Sequence, residues 1–77
     1  MGRLGGLRHR DVVRRLRALG FQFERMGAGS HEIWVYRDKH LVTVVPNHCE
    51  ALPEGTVRAI VRQLDATVDE FLEGRWA

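Results

Sequence analysis

The sequence holds a single cysteine, Cys49, a single lysine, Lys39, and only two prolines in 77 residues. One thiol cannot form an internal disulfide, so the staple of small secreted folds is excluded. A reducing compartment is expected, with the cytoplasm as the default. No apolar run approaches the length that spans a bilayer, and Met1 to Gly6 has an early arginine and three glycines where a signal peptide would have an apolar stretch. Neither export nor membrane insertion is expected. Zinc motifs pair their ligands at short, repeated intervals, whereas His48 and Cys49 are one adjacent pair that cannot comfortably face the same ion. No metal and no cofactor is therefore expected. A chain this short supports one thin core, read as a single domain over residues 1–77 with its core at about residues 8–73.

Charge is present in both signs, but unevenly placed. Residues 1–25 carry seven arginines against Asp11 and Glu24, while from Glu50 onward three arginines face six carboxylates. The formal net charge is only +2, yet the pI is near 9.3 and one half of the molecule is strongly basic. That is the electrostatic footprint of a protein that meets a polyanion, although eleven arginines against one lysine are equally compatible with genomic base composition, and a charge-rich helix face with plain solvation.

Periodicity divides the chain into few elements. Residues 10–19 read as a helix, with Val12, Val13, Leu16 and Leu19 at helical spacing and Gly20 placed for a left-handed cap. Arg10, Arg14 and Arg17 form a stripe at i, i+4 and i+7 on its other side, suited to a phosphate backbone or to water. Three extended segments follow. In residues 21–26, Phe21, Phe23 and Arg25 alternate with Gln22, Glu24 and Met26. Residues 30–37 contain Ile33, Trp34, Val35 and Tyr36, and after a hairpin turn at Asp38 and Lys39 residues 40–45 supply Leu41 to Val45. Trp34 and Tyr36 share one face of their strand, and His31, Ile33 and Val35 share the other; the sequence leaves open which is buried. Pro46 ends the third strand. Pro53 then suits a first helical turn before the stripe Val57, Ile60, Val61 and Leu64, and Thr67 to Glu70 is a capping box opening a short helix. The expected fold is α+β, in the order α-β-β-β-α plus a short C-terminal helix, with a three-stranded antiparallel sheet and helices on one face. Double-stranded RNA-binding domains share the helix, meander, helix order.

The conspicuous chemistry is Gly27-Ala28-Gly29-Ser30-His31, a glycine-rich loop that delivers a histidine to the start of a strand. Glycines allow close backbone approach and leave amide hydrogens where a phosphate could sit. Imidazole titrates near neutrality and can serve as base or acid in phosphodiester cleavage, and Arg25 is the nearest cation in sequence for the charge that develops on phosphorus. His48 is a possible second acid/base group or a loop hydrogen-bonder. His9 and His40 read as surface residues.

Taken in order, Leu19-Gly20-Phe21, Arg25, Gly29-Ser30-His31, Val42-Thr43-Val44, Pro46 with His48 two residues on, Leu52, Gly55-Thr56-Val57-Arg58 and Ile60 resemble the HicA (YcfA-like) family from about Val12 to Phe71. The resemblance implies a toxin with a double-stranded RNA-binding-domain-like fold that cleaves mRNA without a metal. It further implies that His31 is the catalytic residue and that a HicB-like antitoxin covers it. A hairpin turn as short as Asp38-Lys39, and a cysteine at position 49, depart from the family pattern without touching His31. Arg10, Arg14, Arg17, Arg25, Gly29 and Ser30 are the expected RNA-binding residues. Two other readings compete: a non-catalytic RNA-binding module using the arginine stripe, and a protein-interaction domain whose basic half docks an acidic partner.

Overall fold

Helix α1 spans His9–Leu19, and its four apolar positions Val12, Val13, Leu16 and Leu19 are all buried. The structure, a computed structural model, describes residues 2–77. At the start of α1, Arg8 N donates to Asp11 Oδ2 at 2.9 Å, and Gly20 ends the helix at φ 107°, a left-handed conformation in which an added Cβ would also run into the Tyr36 ring. Strands β1 (Gln22–Met26), β2 (His31–Tyr36) and β3 (Leu41–Pro46) form an antiparallel sheet in the order β1-β2-β3. Helices α2 (Glu54–Gln63) and α3 (Val68–Glu73) complete the chain, with Pro53 capping α2. This is the expected α+β order, with the fold of a double-stranded RNA-binding domain.

The sheet has a covered and an open face. Trp34, Thr43 and Val45 point into the core, where they meet the α1 stripe and Val57, Ile60, Val61 and Leu64. Burial of Trp34 settles the parity of β2, so Glu32, Trp34 and Tyr36 face the helices while His31, Ile33 and Val35 face away. Across β3 the open face continues with Val42 and Val44, both exposed. The hydroxyl of buried Thr43 donates to Gln63 Oε1 at 2.6 Å, which removes the cost of a lone polar atom in the core.

Three local features differ from the sequence reading. First, the alternation Phe21, Phe23, Arg25 does not hold through β1. The pairing shifts between Phe23, opposite Trp34, and Arg25, opposite Ile33, so Glu24 is an extra residue in a β-bulge. One inserted residue sends Arg25 to the open face while Phe23 stays on the helix side. Second, the connection from β2 to β3 is a turn of 3-10 helix at Arg37–Lys39 closed by His40 at φ 56°, so His40 belongs to the turn and β3 starts at Leu41. Third, His9 is the first residue of α1 and its side chain is largely buried.

At the C-terminus, Thr67 and Glu70 form both bonds of the capping box. Trp76 docks: its indole stacks on Tyr36 at 6.1 Å, and its Nε1 donates to Leu19 O at 2.8 Å.

Candidate functional site

The residues singled out in the sequence fall into two places. The first is the β1–β2 turn and the head of β2. Gly27 N donates to His31 O at 2.7 Å and His31 N to Ala28 O at 3.3 Å, so the loop is a tight turn, with Gly29 at φ 62°. Asn47 N donates to Ser30 O at 2.8 Å and ties the turn to the end of β3. Among the described residues, no backbone carbonyl accepts from the Ala28, Gly29 or Ser30 amides. His31 is exposed, stands opposite Pro46 and faces the open side of the sheet. Arg25 lies across the hairpin, opposite Ile33, two positions along the same face; such diagonal neighbours are about 7–8 Å apart at the backbone, within reach of a long side chain. The bulge at Glu24 is what brings Arg25 to the side of His31.

The second place lies on the helix side, where α1 runs beside β1. Arg10, Arg14 and Arg17 line a groove of about 550 Å³ with His9, Val13, Phe23, Glu32 and Trp34. The arginine stripe and His31 are therefore on different layers of the fold. His48 lies near the stripe, in a smaller depression with Arg8, His9, Arg10, Asn47 and Cys49 that His31 does not line. Among the described residues, no three His, Cys, Asp or Glu side chains converge into a cluster.

A model of the HicA toxin of bacterial toxin–antitoxin systems matches residues 9–66, well over half of the sequence. The chain belongs to the HicA toxin family. No curated protein matches it. No helix of the described residues is long and apolar enough to cross a membrane. The HicA match begins at His9 and so takes in both places, the turn before β2 and the groove beside α1.

Sequence reasoning on this HicA chain missed Glu32. The residue is 8% exposed, and its carboxylate accepts three hydrogen bonds: from His9 Nε2 at 2.8 Å and Trp34 Nε1 at 3.0 Å on Oε1, and from Asn47 Nδ2 at 3.0 Å on Oε2. The group joins the start of α1, the middle of β2 and the loop after β3. No local pattern announces it, because the four residues meet only once the helix lies on the sheet. The available signal was a carboxylate two positions before a tryptophan on one strand face, which is meaningful only when that face is known to be buried.

Burial by itself would raise the pKa of Glu32, but the bonds from His9, Trp34 and Asn47, together with the charge on His9, outweigh it and hold the carboxyl below its ordinary value. A folded-state pKa below the unfolded one contributes stability at neutral pH that is lost as pH falls through the folded value. Glu32→Gln should therefore lower stability at pH 7 and flatten its decline in the acid range, as read from urea midpoints across pH. An acid slope equal to that of the wild type would mean that Glu32 is not a source of acid sensitivity.

Proposed function

We propose that this HicA-family chain is a cytoplasmic endoribonuclease that cleaves mRNA without a metal, with His31 as its catalytic residue. The observation that carries this reading is the exposed imidazole of His31 at the rim of the Gly27–Ser30 turn, on the same sheet face as Arg25. In the reaction proposed, a base removes the proton of a ribose 2′-hydroxyl, and the oxygen attacks the adjacent phosphorus. The bond to the 5′-oxygen breaks, and that oxygen takes a proton from an acid. The products are a 2′,3′-cyclic phosphate and a 5′-hydroxyl.

His31 acts as the base or the acid, since imidazole near neutrality can do either. Arg25 and the Ala28, Gly29 and Ser30 amides stabilise the charge on the phosphoryl oxygens. No described carboxylate lies within salt-bridge distance of Arg25, which leaves its guanidinium available to an anion. His48 is the proposed second acid/base group, and it lines a depression beside the α1 groove that His31 does not line. Arg10, Arg14 and Arg17 hold more of the RNA by its phosphates.

The partner in this reading is a HicB-like antitoxin that occludes His31. Val42 and Val44, exposed on the same sheet face, supply apolar area of the kind an occluding protein buries.

Incubation of the purified chain with mRNA in EDTA tests the activity directly. The proposal expects discrete fragments, suppressed when the antitoxin is added. RNA that is bound but left intact would support the competing reading, a binding module without catalysis.

A further inference from the structure

The groove beside α1 has a polarity that a phosphate-binding surface alone does not need. Its rim is cationic: Arg10, Arg14 and Arg17 stand on one side of α1, and no described carboxylate lies within salt-bridge distance of Arg10 or Arg17. Its inner wall is aromatic and its interior carries the buried carboxylate of Glu32. A carboxylate repels phosphate, so an RNA backbone belongs on the rim and the space beneath it suits a group that is neutral and flat.

Phe23 provides the surface for such a group. It is 47% exposed although it faces the helix side of the sheet, and it packs edge-on to Trp34 at 5.8 Å, which supports one edge and leaves the rest of the ring open. Trp34 is 2% exposed, with the Arg17 guanidinium 5.1 Å from its ring centroid, and so serves as a buttress. A phenyl ring held at the wall of a basic groove can stack on a nucleobase, and it can do so only where that base is unpaired, because a duplex hides its base faces.

We propose that the α1–β1 groove is a binding site for an unpaired RNA nucleotide, its base stacked on Phe23 and its flanking phosphates held by Arg10, Arg14 and Arg17. This rests on the reading of the chain as an RNA-cleaving toxin and adds that the substrate is gripped where it is single-stranded, on the layer of the fold opposite His31. The two contacts depend differently on salt. Phosphate contacts release counterions and weaken as salt rises, whereas stacking does not.

The test uses a single-stranded 2′-O-methyl RNA oligonucleotide. It lacks the nucleophile for cleavage, so binding is read independently of whether His31 is catalytic. Phe23→Ala should weaken binding on the order of 10- to 100-fold, by the same factor at every salt concentration, and Phe23→Trp should restore it. Neutralising Arg10, Arg14 and Arg17 to Gln should make the log-log salt slope shallower by about 2, at roughly 0.7 per phosphate contact. The Phe23→Ala effect should vanish with a duplex of the same sequence and with an abasic single strand.

Wild-type affinity in Phe23→Ala would overturn the proposal, as would an equal loss on the duplex or failure of Phe23→Trp to rescue. Failure of the endoribonuclease reading would show separately, as intact ribose RNA in the cleavage assay.

Discussion

His31→Ala should lose RNA cleavage by at least 100-fold while remaining folded. General acid–base catalysis by a positioned side chain contributes about 10²–10⁴-fold, and alanine removes both the proton acceptor and the proton donor at that position. The structural cost is small. His31 is exposed at the head of β2, and its bonds within the β1–β2 turn run through its backbone N and O, which the substitution keeps. The change in stability should stay within about 0.5 kcal/mol, as for other surface replacements. Single-turnover cleavage of a defined mRNA, with a urea melt of the same sample, separates the two effects. A folded mutant with wild-type cleavage would remove His31 from the chemistry and direct attention to His9 and His48.

Trp34→Ala should have the largest effect on stability. The indole is 2% exposed, donates to Glu32 at 3.0 Å, supports Phe23 and lies under Arg17. Replacing a buried large aromatic with alanine costs about 3–5 kcal/mol. A domain of this length has roughly 4–12 kcal/mol in total, so the mutant should be mostly unfolded under mild denaturing conditions. Trp34→Phe keeps most of the apolar contact and loses the N–H bond to the Glu32 carboxylate, a cost of about 1.5–3 kcal/mol because the acceptor is charged. Equilibrium urea unfolding distinguishes these cases. A loss below about 1 kcal/mol in Trp34→Ala would mean that the sheet and α1 do not pack through this residue.

The elements were legible in the sequence wherever a signal was local. Val12 to Leu19 and Val57 to Leu64 show helical spacing, Gly20 and Thr67 mark helix ends, and the β-branched runs of β2 and β3 mark strands; all depend on contacts within a few residues. His31 was legible as a candidate for the same reason, since the glycines that set the turn are its neighbours. The bulge at Glu24 was not, because an extra residue in β1 is defined only against its partner strand. With it went the placement of Arg25 beside His31 and the separation of Phe23 from Arg25. Glu32 was missed on similar grounds: the sequence leaves open which face of β2 is buried, and Glu32 joins the core only once Trp34 is seen to be buried. His9, one position before the expected helix, read as a surface residue because its partner is 23 positions away. The sequence grouped the arginine stripe with Arg25, Gly29 and Ser30 as RNA-binding residues, and only the stacking of α1 on the sheet assigns the stripe and His31 to different layers.

The central claim, that the open-face histidine carries out metal-free cleavage of RNA, is tested most directly by the chemical ends of the fragments. The wild-type chain, incubated with mRNA in EDTA, should yield fragments bearing 2′,3′-cyclic phosphate and 5′-hydroxyl termini, which end-specific ligation and mass spectrometry identify, and His31→Ala under the same conditions should yield none. Fragments with 3′-hydroxyl and 5′-phosphate ends, or the same fragments from His31→Ala, would contradict the account.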